Sequence, residues 1–421
     1  MMTDKTADLD SLVGYFTPNL KKQRALLNSF LHPLSCKEEI DKRRQIISSF
    51  EEQSALLSEY ASCIEDAGRA RNDYETAKKR SGIEPLTRIE DLCVSALALF
   101  GAVKRASGLP LHKNLRKRLS EISRQTDAVS SHLLSFIDND PPALCFRISD
   151  YGRIEYASFD ISDYSLKDKD PQKKGRSFFF PRKTDAPVRV VNVSELTASA
   201  CDNLERSLDS LVYGIGNEIK HLLRDLDFYS AALDYYAFLK EHKIPYCFSE
   251  YDGSVEFSGL YDLLLVAKKG TVVPNDFKLN GKHGALITGP NGSGKTVLWR
   301  SVLTAALLNQ SGLPVPAISA KLPVFTGINS IMSCSISRDG FGAFEEEVRD
   351  LSDIMNTVSG GSAVFLNEIF QTTSYEEGAK ALTSILNSLS KRGVVCVAVT
   401  HLPVNASMLD YERIEMNVRY S

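Results

Sequence analysis

Residues 284–300 have the sequence Gly-Ala-Leu-Ile-Thr-Gly-Pro-Asn-Gly-Ser-Gly-Lys-Thr-Val-Leu-Trp-Arg. The apolar run that ends at Thr288 predicts a buried strand, and the residues after Thr296 predict the start of a helix. Between them, residues 289–296 satisfy the pattern GxxxxGK[ST]. Its glycines let the backbone curl so that successive N–H groups point inward at phosphate oxygens. The stretch therefore predicts a phosphate-binding P-loop between a strand and a helix.

Each position of this loop has a chemical role in nucleotide binding. The helix that follows adds a dipole favourable to an anion. Lys295 is predicted to reach the β- and γ-phosphates of ATP, and the Thr296 hydroxyl to ligate Mg²⁺. The predicted nucleotide-binding residues are Gly289, Pro290, Asn291, Gly292, Ser293, Gly294, Lys295 and Thr296.

A P-loop also needs an acidic group at the end of a neighbouring strand. The candidate strand is Ala363-Val364-Phe365-Leu366, followed by Asn367 and Glu368. Glu368 is the predicted general base for an attacking water. Asn367 stands where a magnesium-coordinating aspartate is usual, and it brings an amide without charge. His401 closes the next apolar strand and is predicted to sense the γ-phosphate or to position water, with a structural histidine as the alternative.

The C-terminal part of the chain has the alternating pattern of an α/β domain. The predicted strands are Leu263–Ala267, Gly284–Thr288, Ala363–Leu366 and Val394–Thr400, and the predicted helices are 295–309, 343–358 and 374–391. Continuous apolar strands joined by helices indicate a parallel sheet covered on both faces. We therefore expect an α/β P-loop NTPase domain of ABC type over residues 251–421.

The N-terminal part is predicted to be mainly helical. Residues 1–137 have apolar residues at helical spacing, and residues 138–195 alternate apolar and polar residues as a small β-rich insert does. Residues 196–250 contain a long helix whose seam runs from Leu204 to Leu226 at spacings of three and four. Gly214 and Gly216 are candidate kink positions.

Composition excludes several classes of protein. The 421 residues are 43% hydrophobic and 24% charged, with a net charge of −3, so overall charge does not indicate a nucleic-acid binder. Eight widely spaced cysteines are typical of reduced thiols in a cytoplasmic protein. The polar N-terminus and the lack of a long apolar run predict neither a signal peptide nor a membrane span.

The motifs together resemble the MutS DNA mismatch-repair family. The residues that carry the resemblance are Val273-Pro274-Asn275-Asp276, then ITGPNGSGKT, FLNEIFQTTSYEEG and VAVTHLP, over roughly residues 250–418. The family's second motif is DEIGRGTS, and a Thr-His pair follows on its next strand. The resemblance implies an ATPase that binds ATP and Mg²⁺ across a dimer interface, here expected to be a homodimer. It also implies that the upstream helices are a core and levers with a reduced, clamp-like insert.

The chain departs from the family pattern at important positions. Gly342 stands where the family supplies a serine to the partner's nucleotide, and Asn367 replaces the motif aspartate. We therefore expect intact phosphate binding and slow hydrolysis. The mismatch-reading domain and the C-terminal dimerisation element are also expected to be absent, so direct recognition of a mispaired base is doubtful.

The β-rich insert contains the strongest local signal for DNA. Its basic residues are predicted to contact the backbone of double-stranded DNA without reading sequence: Lys173, Lys174, Arg176, Arg182 and Lys183. The alternative is a buried strand at Phe178–Phe180 flanked by a solvated basic loop.

Three functions from different classes remain open. The first is a divergent MutS-family DNA-binding ATPase, and the second is a regulatory or scaffold protein that uses ATP only as a ligand. The third, an SMC-like ATPase, is disfavoured because such proteins place a very long coiled coil between the two nucleotide motifs.

Overall fold

The computed structural model describes residues 8–138, 144–148, 154–159, 193–270, 272–332, 343–371, 373–404 and 409–417. Contacts divide the chain into two units, one comprising Met1–Glu52 with Asp227–Ser421 and the other comprising Gln53–Leu226. The division falls inside the longest helix, Val193–Glu241. Among the described residues, no helix is long and apolar enough to cross a membrane.

The unit Gln53–Leu226 is built from long helices and one small hairpin. Its elements are α4 (Ser54–Lys79), α5 (Pro85–Gly108), α6 (Lys113–Asp138), the antiparallel strands β1 (Leu144–Ile148) and β2 (Ile154–Phe159), and the first part of α7 (Val193–Glu241). Most of the predicted seam is buried, at Leu208, Ile215, Ile219, Leu222 and Leu226. The 49-residue helix α7 continues through both candidate kink glycines.

The other unit contains a five-stranded parallel sheet. Its helices are α1 (Leu9–Phe16), α2 (Leu20–Leu31), α3 (Lys37–Glu52), the end of α7, α8 (Leu263–Lys269), α9 (Lys295–Gln310), α10 (Ala343–Thr357) and α11 (Tyr375–Lys391). The sheet has the order β10-β5-β9-β8-β7, formed by Tyr411–Glu415, Gly284–Thr288, Val395–Val399, Ala363–Asn367 and Ile328–Met332. A separate antiparallel sheet has the order β4-β3-β6, formed by Asn275–Lys278, Glu256–Leu260 and Ser319–Lys321.

Three of the four predicted strands are present within about one residue of their predicted bounds. The predicted strand at Leu263–Ala267 is wrong, because this stretch forms the helix α8. A five-residue apolar run does not by itself distinguish a strand from a buried helix. The flanking residues decide it: Asp262 Oδ1 accepts a hydrogen bond from Leu265 N at 2.7 Å, and Gly270 ends the helix with φ 75°.

The order of the sheet determines which loops meet. β9 lies between β5 and β8, with Ile287 and Asn367 both in register with Val399. Since all three strands are parallel, the residues after β5, β8 and β9 emerge at one edge. In open α/β sheets this edge is where ligands bind.

Candidate functional site

The loop between β5 and α9, residues 289–294, is called the glycine loop below. Gly289, Gly292 and Gly294 have φ values of 141°, 78° and 94°, a region that residues with a Cβ rarely adopt. At Gly289 there is also no room for a side chain, because a Cβ would clash with the carbonyl oxygen of Met416. The local fold of the loop thus depends on glycine.

Lys295 is the first residue of α9 and is only 4% exposed. Its Nζ donates a hydrogen bond to the Pro290 carbonyl oxygen at 3.0 Å, so the ammonium group lies against the glycine loop. Thr296 follows it in the first turn and is half-buried. The sheet and helix therefore bring a cation and a hydroxyl to the same loop.

Three buried oxygen atoms at this edge have no hydrogen-bond partner among the residues that the structure describes. They are Thr288 Oγ1, Ser293 Oγ and Asn367 Oδ1. Asn367 is the last residue of β8 and is 5% exposed. Buried polar atoms are nearly always satisfied in folded proteins. A hydrated cation and a polyanion would supply partners to these atoms, so the residues present fit a magnesium–nucleotide complex.

Glu368 and His401 follow β8 and β9 and lie next to each other. The Glu368 carboxylate is 3.3 Å from His401 Nε2, and their side chains are 29% and 35% exposed. The Glu368 backbone is anchored by its N–H, which donates to the Val399 carbonyl oxygen at 2.9 Å. Tyr375 donates its hydroxyl to the His401 carbonyl oxygen at 2.7 Å. A carboxylate that is partly exposed and oriented by an imidazole is suited to accept a proton from water.

The structure adds one acidic residue to the site. Glu347 on α10 is 3% exposed, and its Oε2 accepts a hydrogen bond from Phe370 N at 2.8 Å. The signal available in the sequence was an acidic residue on the same helix face as the apolar residues Leu351 and Ile354.

Two groups of predicted residues lie outside the described part of the chain. They are Gly342 and the basic set Lys173, Lys174, Arg176, Arg182 and Lys183.

Cys396, on the central strand β9, is not suited to thiol chemistry. Burial raises the pKa of the Cys396 thiol on β9 to about 12, so the thiol stays protonated. The six cysteines whose side chains are described are free.

A known protein family matches this part of the chain. Residues 285–418 match the family described as MutS domain V. A mitochondrial DNA mismatch repair protein, MSH1, of Arabidopsis thaliana is 33% identical over 165 residues, which cover 38% of this chain and 15% of that protein. An endonuclease MutS2 of Lactobacillus helveticus is 33% identical over 190 residues, covering 44% of this chain and 24% of that protein.

One further relative has a longer match. An endonuclease MutS2 of an Anaeromyxobacter species is 29% identical over 248 residues, which cover 55% of this chain and 30% of that protein. In all three comparisons the chain spans less than a third of the relative's length.

Proposed function

We propose that this chain is an ATP-binding protein of DNA maintenance. The premise is that it belongs to the MutS family through its residues 285–418. The observation that carries the proposal is the arrangement at the glycine loop. Lys295 is buried against a loop built on positive-φ glycines, and three unpartnered oxygens lie at the same edge of the sheet. These features support a P-loop that holds phosphates.

The residues of this loop would bind Mg²⁺-ATP as follows. Backbone N–H groups of the glycine loop and of the first turn of α9 donate to phosphate oxygens. The Lys295 ammonium exchanges the Pro290 carbonyl for the β- and γ-phosphates. Thr296 would hold Mg²⁺ through its hydroxyl, and Asn367 would accept a hydrogen bond from a metal-bound water. The metal itself supplies positive charge against the phosphate oxygens.

Hydrolysis is the role that we assign to Glu368 and His401. Glu368 takes the proton of the attacking water, and His401 orients the carboxylate from 3.3 Å. Asn367 lacks the charge of an aspartate, and Gly342 lacks the hydroxyl of a serine. Each lost charge-assisted contact removes about 1.5–3 kcal/mol of transition-state stabilisation, roughly 10- to 100-fold in rate. We therefore propose slow turnover.

DNA and a second subunit complete the proposal. The relatives include proteins named for DNA mismatch repair and endonucleases named MutS2. We propose a homodimer with nucleotide held across its interface, and contact of residues 138–195 with the backbone of double-stranded DNA. In this scheme residues 1–137 form a core, residues 196–250 form a lever and its connection, and residues 251–421 form the ATPase domain. We also propose that the protein is cytoplasmic.

A second function has one observation in its favour. The uncharged Asn367 at the end of β8 is better suited to a protein that binds ATP as a ligand than to one that hydrolyses it rapidly. Such a protein would be a regulator or scaffold without mismatch recognition, and ATP would control its dimerisation by binding one arrangement better than another.

Nucleotide binding is tested by titrating the full chain with a fluorescent ATP analogue and Mg²⁺. The Lys295→Ala variant is expected to lose binding, whereas Lys391→Ala, an exposed lysine at the end of α11, is the matched control and is expected to retain it. Binding that is equal in the wild type and the Lys295→Ala variant contradicts the proposal.

The choice between the two functions is tested by gel shift on duplex, mismatched and branched DNA, with and without ATP. DNA binding that depends on ATP supports the DNA-maintenance protein. Dimerisation that depends on ATP, measured by analytical ultracentrifugation and accompanied by no DNA binding, selects the scaffold.

A further inference from the structure

Helix α10 has an acidic residue, Glu347, among the described residues of its buried face. Leu351, Ile354 and Val358 belong to the hydrophobic core beside the parallel sheet. Glu347 lies one turn before Leu351 on the same face and is 3% exposed. A carboxyl group in such a place is expensive to bury unless it accepts hydrogen bonds. A hydrogen-bond donor is therefore expected beside the Glu347 carboxyl group.

The contact that explains it is with the peptide of Phe370. Glu347 Oε2 accepts a hydrogen bond from Phe370 N at 2.8 Å, across 23 residues of chain. Phe370 has φ 64°, a left-handed conformation that is strained for a residue with a Cβ. Its side chain is 3% exposed in the same core as α10. The hydrogen bond that Phe370 donates to α10 thus stabilises a backbone conformation that the residue does not prefer.

The backbone of Phe370 is also confined from a second direction. A Cβ added at Gly378 of α11 would lie 3.1 Å from the Phe370 carbonyl oxygen, so α11 passes close to it. The backbone of Phe370 is therefore held at its N–H by α10 and restricted at its carbonyl, in the next peptide group, by α11.

Glu368 lies two residues before Phe370 and has the same left-handed backbone, with φ 53°. Its N–H is bound to the Val399 carbonyl oxygen of β9 at 2.9 Å. Between them, Ile369 is 1% exposed and fixed in the core. The backbone position of Glu368 is consequently set by two anchors, β9 at its own N–H and α10 two residues later.

We infer that Glu347 is a positioning residue for Glu368, which fixes the carboxylate of the proposed general base by holding the Phe370 peptide in its left-handed conformation. The inference rests on the proposed ATPase site. In this arrangement ATP hydrolysis depends on helix α10, whereas nucleotide binding does not. The glycine loop has no part in this contact, so the two properties are separable.

The test compares three variants of the full chain. Glu347→Ala removes the acceptor. Glu347→Gln keeps an amide oxygen at the same place and is the conservative rescue. Asp353→Ala removes an exposed acid from the same helix and is the matched control. Tryptophan fluorescence of each variant first verifies folding, because the chain has one tryptophan, the buried Trp299.

Three measurements are made on each variant: Mg²⁺-ATP affinity by equilibrium titration, single-turnover hydrolysis, and amide hydrogen exchange of residues 368–371. For Glu347→Ala we expect hydrolysis to fall about 10- to 100-fold, as a displaced catalytic group does. Its affinity for ATP is expected to change by less than about threefold. Exchange at the Phe370 amide is expected to be faster by about tenfold or more. Glu347→Gln and Asp353→Ala are expected to stay near the wild type.

Hydrolysis and amide exchange at wild-type level in Glu347→Ala would overturn the inference. A Glu347→Gln variant as impaired as Glu347→Ala, or equal losses of binding and hydrolysis, would also overturn it. Failure of the proposed function has a different signature, namely a wild-type chain that does not bind ATP. In that case the exchange measurement still decides whether Glu347 holds the Phe370 peptide.

Discussion

A buried ion pair joins α9 to the start of α8. Arg300, in the second turn of α9, donates from Nε to Asp262 Oδ2 at 2.9 Å and from Nη2 to Asp262 Oδ1 at 3.0 Å. The Asp262 side chain is 2% exposed and that of Arg300 is 15% exposed. Asp262 also caps α8 through Leu265 N. The pair therefore fixes the helix that begins at the glycine loop.

Arg300→Ala is predicted to destabilise the unit that contains the parallel sheet. Breaking a buried pair leaves the remaining charge without compensation and costs about 3–5 kcal/mol. Because Arg300 retains some exposure and water can enter the space it leaves, we expect the lower end, about 3 kcal/mol. The double variant Asp262→Ala/Arg300→Ala is expected to lose less than the sum of the single variants, by about 1.5 kcal/mol or more, as contacting residues do.

The assay is urea unfolding followed by the fluorescence of Trp299, which is buried in α9 beside Arg300 and so reports on this unit. The control is Lys282→Ala, which removes an ion pair of comparable length, 2.8 Å to Asp410 Oδ1. That pair is 43% and 47% exposed, and solvent screening is expected to make its loss almost undetectable. If Arg300→Ala is no more destabilising than Lys282→Ala, the reasoning from burial is refuted.

Three further predictions concern catalysis, packing and pH. Asn367→Asp is expected to raise single-turnover ATP hydrolysis roughly 10- to 100-fold by restoring a charge, and an unchanged rate would argue against slow turnover caused by the amide. Gly284→Ala is expected to lower stability by about 1–3 kcal/mol in urea unfolding, because a Cβ there clashes with the Cys396 carbonyl oxygen of the neighbouring strand. The pKa of Asp252 is lowered from 3.8 to about 2, chiefly by hydrogen bonds from Ser254, so its contribution to stability is present above its unfolded pKa and is lost as the pH falls towards 2. Ser254→Ala removes the hydroxyl and keeps the backbone N–H donor, so it is expected to move this pKa part of the way back towards 3.8 in an NMR titration of the carboxyl carbon, and no movement would exclude the Ser254 hydroxyl as the main cause.

The sequence predicted three of the five strands of the parallel sheet because their signal is local, and it did not predict β7 or β10. The apolar run at Gly284–Thr288 is bounded by the glycine loop, and those at Ala363–Asn367 and Val395–Val399 are bounded by polar or glycine residues. The stretch Leu263–Ala267 was assigned to a strand and not to the helix α8 because five apolar residues satisfy both periodicities. The capping residues on either side, Asp262 and Gly270, indicate a helix, and they predict α8 correctly when they are considered before the apolar run.

The contacts of the candidate site were less accessible to sequence reasoning. A motif locates Lys295 and Glu368, since their chemistry depends on spacing along the chain. It does not reveal that Glu347 binds the peptide of Phe370, because that contact joins two elements 23 residues apart. Nor does it reveal a left-handed backbone at Phe370, because propensity argues against that conformation for an aromatic residue.

The loops after β5 and β8 reach positive φ by different physical means. Gly289, Gly292 and Gly294 adopt it without side-chain strain, so the glycine loop is stable through its own sequence. Glu368 and Phe370 adopt it against their preference, so the segment after β8 depends on contacts from outside itself. Strain of this kind persists only where the surrounding structure enforces it. We therefore expect substitutions in α10 or β9 to change hydrolysis before they change nucleotide binding, and substitutions in the glycine loop to abolish both.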